Sequence, residues 1–487
     1  MHTRTGHVVV IGGGIAGLAA AHRLATAGVP VTLLEATHQL GGKLQAGEIA
    51  GAPVDLGAES MLARRPEAVA LARAVGLGDR LQAPATTSAA VWTRDALRPM
   101  PKGHVMGVPA DATVLGDLLT EEGLRRVERD RDLPPSEIGD DIAIGAYVAE
   151  RMGHEIVDRL VEPLLGGVYA GDAYRISMRA AVPKLFDEAR THRTLGDAVR
   201  AVQRSGAQPA DVAGSGAAQP AAAFMGIDGG IGLLPGAVAD AVRAAGGEIV
   251  TEAPVTALRR TAADGSPAQD RWEITAAGRT LHADAVVLAT PAWSAAALLA
   301  DVSPTASAEL GAVEYASMAL VTFAFRRADI EGLPGSGFLV PPVDGRTIKA
   351  STFSSQKWQW VTDRSPDLFV LRTSVGRHGE EEQLHRDDAD LVAASLKDLA
   401  AATGLTARPV ATEVTRWIGG LPQYPVGHLT RVARIREAVA ALPGLRVCGA
   451  VYEGVGIPAC VASAHHAADE IIATPTLARG TRRDRRE

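Results

Sequence analysis

Cysteine is nearly absent: Cys448 and Cys460 are the only two in 487 residues. Two are too few for a disulfide framework or a structural zinc site, so both read as small buried hydrophobes in a reducing compartment. Lysine is scarce too, six residues against 43 arginines. The net charge of −7 includes no basic block before the C-terminus, which argues against nucleic acid as a partner. The one basic run, Arg479 to Arg486, follows Thr474-Pro475-Thr476 and reads as a disordered tail, with a peripheral membrane contact left open. No stretch reaches the roughly 18 consecutive apolar residues of a transmembrane helix. The first strand starts at residue 8, leaving no room for a leader, and a cytoplasmic protein is expected. Paired carboxylates, a Ser-His-Asp set and metal-ligand spacings are also missing. No metal is expected, the catalytic residues stay unassigned, and His465-His466 read as surface or cap residues.

What is present is a large core: 47% hydrophobic and 22% charged residues, ordinary for a globular enzyme. At roughly 150 residues per domain the length allows about three structural units. An apolar strand, Val8 to Ile11, runs into Gly12-x-Gly14-x-x-Gly17 and then into an alanine-rich helix ending at Gly28. Each glycine removes a Cβ for a different reason. Gly12 makes the tight turn, Gly14 lets a pyrophosphate touch the backbone, and Gly17 lets helix and strand pack closely. The phosphates then lie on the helix N-terminus, where free N–H groups favour negative charge. A second strand, Val29 to Leu34, ends in Glu35, 18 residues beyond Gly17, where a carboxylate grips the ribose of an adenosine. A lone GxGxxG carries little weight; strand, helix and acid together define a dinucleotide site.

Further along come Leu40-Gly41-Gly42-Lys43 and the turn Val54-Asp55-Leu56-Gly57-Ala58-Glu59-Ser60. An amphipathic helix is expected over 66–82, stopped near Gly76, and then a short strand from Ala89 to Thr93. From Thr113 to Val202 the periodicity is helical, broken by Gly166-Gly167-Val168-Tyr169-Ala170-Gly171-Asp172, which reads as a loop too glycine-rich for a helix interior. Residues 204–223 read as a flexible Ala/Gly/Pro/Gln/Ser loop. Gly230-x-Gly232-x-x-Pro235 fails as a second dinucleotide fingerprint and reads as a structural helix entry. Residues 313–415 alternate strands with one helix, Asp388 to Thr403, and suit an antiparallel sheet flooring a pocket. The expected architecture is mixed, α/β plus α+β. A discontinuous Rossmann-like domain spans 1–85, 224–300 and 416–473. A substrate-binding sheet domain spans 86–112 and 301–415, a helical domain 113–203, and a tail 474–487.

These segments resemble the flavin amine-oxidase and protoporphyrinogen-oxidase superfamily over nearly the whole chain. The resemblance rests on Gly-Gly-Gly-Ile-Ala-Gly-Leu (12–18), Leu-Leu-Glu-Ala (33–36), Leu-Gly-Gly-Lys (40–43), Asp-Leu-Gly-Ala-Glu-Ser (55–60) and Ala-Asp-Ala-Val-Val-Leu-Ala-Thr-Pro (283–291). Gly-Gly-Val-Tyr-Ala-Gly-Asp (166–172) and Gly-Ala-Val-Tyr-Glu-Gly-Val-Gly-Ile (449–457) look like the porphyrinogen-oxidising branch. The resemblance implies an FAD-binding domain of the p-hydroxybenzoate-hydroxylase/amine-oxidase type. FAD would be held by Gly12, Gly13, Gly14, Ile15, Ala16 and Gly17, with Glu35 and Ala36 at the ribose. Lys43 and the turn Gly57, Ala58, Glu59 and Ser60 would lie along the ribityl chain and flavin, and Val255 would meet the adenine. Ala450, Val455, Gly456 and Ile457 would bring N–H groups and a helix start to the flavin's pyrimidine end, where reduced flavin is anionic. Trp417 would cover the isoalloxazine edge; an ordinary core tryptophan is the alternative. The arginine usual before Leu-Gly-Gly is replaced here by His38-Gln39, which puts one phosphate or ribose contact in doubt.

The same resemblance implies oxidation of a porphyrinogen by three hydride transfers to flavin, with O2 reoxidising the flavin to give H2O2, in heme biosynthesis. A methylene-bridged macrocycle needs no acid–base set to lose hydride; it needs positioning. Carbonyls around Gly167 would stabilise positive charge on the ring, with Tyr169 and Arg64 as further substrate residues. A helix-breaking turn and a solvated Arg64-Arg65 pair are the plainer alternatives. Mitochondrial and plastid-type protoporphyrinogen oxidases place a propionate-binding arginine before the strand matching Val91 to Thr93. Thr86-Thr87-Ser88-Ala89-Ala90 has none, so the chain looks more like the bacterial coproporphyrinogen III oxidase group. Protoporphyrinogen IX oxidase is the alternative, an amine oxidase or desaturase a more distant one. Transient hand-over of product to a ferrochelatase follows from the same likeness.

Overall fold

A computed structural model describes residues 6–206, 222–261 and 271–474. Most of the expected 204–223 loop, and the tail from residue 475 with its arginines, lie outside the described residues.

Val8–Ile11 is four consecutive β-branched residues, all buried, and such a run packs on both faces of a sheet. It pairs in parallel with Val31–Leu34 and with Ala285–Leu288. Glu248–Val250 and Leu445–Val447 complete a five-stranded parallel sheet at its two edges. Strands from opposite ends of the chain therefore share one layer. On one face the first helix, Ile15–Thr26, lies against the C-terminal helix, Ile457–Ile472. Ala19, Ala20 and Ala21 are wholly buried in that layer, and side chains ending at Cβ let elements pack close. The other face carries the antiparallel strands Val255–Thr261, Arg271–Ala276 and Arg279–Ala283, with Trp272 filling the space between.

A second sheet has seven strands in the order Ala411–Pro422, Tyr315–Arg326, Leu368–Val375, Ile348–Thr352, Gly337–Leu339, Ala90–Thr93, Ala96–Pro99. The expected antiparallel arrangement needs one correction: Gly337–Leu339 runs parallel to Ala90–Thr93. A parallel pair requires a long crossover, and the whole chain between those strands supplies it. Ala411–Pro422 pairs along its length with Tyr315–Arg326, so this strand runs across the boundary drawn at residue 416. The helix Asp388–Thr403 backs one face of the sheet through Leu391 and Leu399. A helical layer with its own core, including Ile144, Leu160, Leu165 and Phe186, packs beside it.

One local expectation is shortened and another overturned. The helix expected over 66–82 with a stop near Gly76 covers Pro66–Ala74: Gly76 turns the chain with φ +82° as expected, but beyond it Leu81–Gln82 pairs as a strand. Gly166-Gly167 is not a loop: Glu162–Tyr169 is helical and closes at Ala170 in the left-handed region, φ 49°. Glycine costs a helix about 1 kcal/mol per residue relative to alanine. Burial of Leu165, Gly166 and Tyr169 within the helical layer outweighs it.

Candidate functional site

The glycines of the first turn do three different jobs. Gly12 has φ +108°, and a Cβ there would lie 2.7 Å from the Ala289 carbonyl oxygen. A Cβ on Gly17 would lie 1.8 Å from the Gly12 carbonyl oxygen, closing off every larger residue. Around Gly14 nothing lies within 4 Å of the same position. Gly14 also caps the helix that begins with Ile15 and Ala16, and no side chain caps that end. An open backbone at a helix N-terminus, with no competing side chain, fits an anionic diphosphate.

Glu35 closes this turn. Its Oε2 accepts from Gly13 N at 2.7 Å, and its Oε1 accepts from Thr37 N and Oγ1 at 2.9 and 2.8 Å. Ala36 is exposed beside it. The Glu35 carbonyl accepts from Ala253 N at 2.9 Å, which brings Val255, at the head of its strand, to the same edge. Gly41 N donates to Gly13 O at 2.8 Å and carries the chain on to Lys43. The Lys43 side chain has accessible surface yet is surrounded by protein. Burial pulls its ammonium below 10.5, with the Cys460 thiol opposing.

Gly57 must be glycine: a Cβ there would lie 2.0 Å from Lys43 O and 3.2 Å from the Trp417 ring. Ala58 N donates to Lys43 O, and Trp417 Nε1 donates to Leu56 O at 3.0 Å. Lys43, the Gly57–Ser60 turn and Trp417 are thus one assembly. Glu59 anchors it from below, 6% exposed, between Lys357 Nζ at 2.6 Å and Arg372 Nη2 at 3.2 Å. Burial alone would raise its carboxyl; the two cations overcome that and hold it at about 2. Asp55 is different. Burial pushes it up to about 6 although the amides of Gly232 and Ile231 donate to it at 2.8 and 3.0 Å. That bond explains Gly230-x-Gly232 as a helix entry held by a carboxylate.

The C-terminal segment meets this assembly. A Cβ on Gly449 would touch the Ala16 Cβ at 3.9 Å. Ala450 O accepts from the Tyr424 hydroxyl, and Val451 O lies 2.8 Å from His428 Nε2. His428 stacks on Tyr424 with centroids 4.0 Å apart, and burial pushes its ring down to about 4, so it is neutral. Gly456 is exposed and caps the last helix with no side-chain bond; Ile457 is buried behind it, and Val455 packs against the helical layer. Tyr169 stands 5.5 Å from Tyr424, ring to ring. Gly167 is exposed, 3.8 Å from Leu339 of the large sheet by its absent Cβ. Arg64 stands apart: it is exposed and makes no ion pair among the described residues, whereas Arg65 pairs with Glu67 at 2.9 Å.

Sequence reasoning passed over Glu162, Lys349, Lys357, Arg372, Tyr424 and His428, and it gave Asp55, quoted within the 55–60 run, no role of its own. Lys349 left a signal too, a lysine inside the strand Ile348–Thr352.

A family model described as flavin containing amine oxidoreductase matches residues 15–472. The chain belongs to that family, and its cofactor is FAD. Among curated relatives, coproporphyrinogen III oxidase of Mycobacterium tuberculosis (strain ATCC 25618 / H37Rv) is 35% identical over 477 residues, 95% of this chain and 96% of the relative. The enzyme of that name from Bacillus subtilis (strain 168) is 33% identical over 467 residues, 93% and 95% of the two chains. The crystal structure of a candidate protoporphyrinogen oxidase from Exiguobacterium sp. 255-15 superposes with a TM-score of 0.83 at 32% identity, covering 96% of this chain and 99% of that one. No helix among the described residues is long and apolar enough to cross a membrane.

Proposed function

We propose that this protein oxidises coproporphyrinogen III to coproporphyrin III in heme biosynthesis. The observation that carries the reading is likeness over nearly full length, at 33–35% identity, to relatives bearing that name. When bound, FAD supplies a two-electron hydride acceptor, and O2 takes the electrons on as H2O2 over three rounds. The chain does the rest. Gly14 and the helix start behind it receive the diphosphate, Glu35 the ribose, and Val255 the adenine. Trp417, fixed through Leu56 O, walls the flavin side with Lys43. The uncapped helix start at Gly456 favours negative charge on the reduced ring.

On the substrate side the helix Glu162–Tyr169 ends beside Leu339 of the large sheet. The last carbonyls of a helix carry partial negative charge, and those around Gly167 stabilise a cation developing on the macrocycle as hydride leaves. A cytoplasmic site of action and passage of the porphyrin to a ferrochelatase belong to the same reading.

Anaerobic mixing with coproporphyrinogen III should bleach the flavin, and admission of air should yield fluorescent porphyrin with about three H2O2 per ring. Likeness to the Exiguobacterium protein favours a second reading, protoporphyrinogen IX as substrate. A higher kcat/KM on that two-propionate ring would replace the first reading by the second.

A further inference from the structure

Where the helical layer meets one end of the large sheet, a cavity of about 250 Å³ opens. Glu162, Asp158 and Asp172 enter it from the helical side; Arg377, His378 and Glu380 enter from the loop after Leu368–Val375. Glu162 Oε2 accepts from Ala173 N at 2.6 Å. Its Oε1 takes no hydrogen bond from the described residues. That oxygen lies 3.9 Å from the position of a Cβ on Gly166, one turn along the same helix. Immediately before Glu162 the helix widens into a π turn, Val157–Val161, a feature that recurs at functional sites because it re-aims the side chains around it. Asp158, on that turn, accepts from the Tyr174 hydroxyl at 2.8 Å, and the same hydroxyl is 3.0 Å from Nδ1 of the exposed His154. A buried carboxyl beside Gly166 is therefore joined, through a cavity and a row of titratable groups, to the protein surface.

We propose that Glu162 accepts the pyrrole proton released in each oxidation round and that this cavity returns it to solvent. The proposal rests on the porphyrinogen reading. Loss of hydride takes both electrons of a methylene C–H bond and leaves a cation shared by two pyrrole nitrogens. One N–H bond breaks in the same step, as that charge develops; its electron pair stays on nitrogen and neutralises the ring, and the proton goes to Glu162 Oε1. From there it leaves by way of Asp158, Tyr174 and His154, and the carboxylate is ready for the next round. Three such rounds leave one methylene bridge and one N–H, and a proton shift from that methylene to a bare pyrrole nitrogen completes the porphyrin with its two N–H groups. The carboxyl is suited to this. Burial pushes it up to about 7 against the Ala173 amide and Arg377, and Asp172 and Asp158 add to the rise. A base that titrates near working pH takes and gives up a proton with equal ease.

Glu162→Gln keeps an oxygen for Ala173 N, so the variant should fold and hold FAD. Flavin bleaching by coproporphyrinogen III should slow on the order of 100-fold, with KM little changed, and should lose its dependence on pH through about 7. Glu162→Asp should recover part of the rate and the pH dependence. A readout independent of turnover is the unfolding midpoint. As pH rises from 4.5 to about 7 the wild type should lose stability relative to Glu162→Gln, because its folded state resists ionisation of this carboxyl; Asp55 and His428 titrate alike in both proteins and drop out of the difference. Bleaching of Glu162→Gln at the wild-type rate, or a wild-type rate flat across that range, overturns the proposal. Wild-type protein that neither porphyrinogen bleaches overturns the porphyrinogen reading itself and takes the proposal with it.

Discussion

Lys349→Met should make the protein more stable, and the gain should depend on pH in a fixed direction. Lys349 lies in the strand Ile348–Thr352 and is 6% exposed. Its ammonium meets Met318 Sδ at 4.0 Å, a weak acceptor, and it has no ion pair among the described residues. Burial, then the like charge of Arg377, pulls its pKa from 10.5 to about 7, with Glu380 opposing. At about 1.4 kcal/mol for each tenfold change in proton affinity, the fall from 10.5 to about 7 corresponds to a penalty of at most about 5 kcal/mol for the charged form. Below about 7 both folded and unfolded chains carry the proton, and the folded state bears the whole penalty. From about 7 to 10.5 the unfolded chain holds the proton while the folded one sheds it, so wild-type stability climbs with pH. Methionine has the same unbranched reach and no charge. Denaturant midpoints of the two FAD-loaded proteins across this range should show the variant ahead, most at low pH and least near 10.5. A variant no more stable below 7, or an advantage constant with pH, would refute the argument that this ammonium is a buried charge.

Two glycines of one motif should fail differently. Gly17→Ala puts its Cβ 1.8 Å from the Gly12 carbonyl and should give insoluble protein; Gly14→Val starts in open space and should fold but purify without yellow flavin absorbance. Native-like circular dichroism for the first, or retained flavin in the second, would contradict these roles. Glu59→Gln should cost about 3 kcal/mol at neutral pH, from a carboxyl held at about 2 where 4.5 is ordinary. That contribution is present above 4.5 and is lost as pH falls through about 2, so acid denaturation curves of the two proteins should converge there.

Much of the nucleotide half was legible in the sequence because its constraints are local. Gly17 has to pass the Gly12 carbonyl five residues before it, Gly12 turns the chain in the left-handed region, and Glu35 closes the same turn at Gly13. Strands such as Val8–Ile11 and Ala285–Leu288 announce themselves as unbroken buried runs. What could not be read is what distant segments do to one another. Glu59 belongs to a glycine-rich turn, yet its carboxylate is fixed by Lys357, 298 residues away. Tyr424 and His428, stacked ring on ring, hold the carbonyls of Ala450 and Val451 by hydrogen bonds that no spacing reveals.

The misreading at Gly166 is the instructive one, because correcting it changes the chemistry. A glycine-rich loop would offer carbonyls with no common direction. As the end of the helix Glu162–Tyr169, the same residues offer aligned carbonyls whose partial charges add. Glu162 rides on that helix one turn earlier, so the dipole that favours a cation and the carboxyl that takes its proton belong to one rigid element. On the proposed reading this matters for a particular reason. Three rounds of oxidation attack different bridges of one macrocycle, so the ring has to be presented to the site in more than one orientation. Side chains matched to one set of substituents would serve one round well and the others badly. Backbone carbonyls beside side-chain-free Gly166 and Gly167, with a carboxyl behind them, read only the developing charge and the departing proton, and both recur unchanged each time.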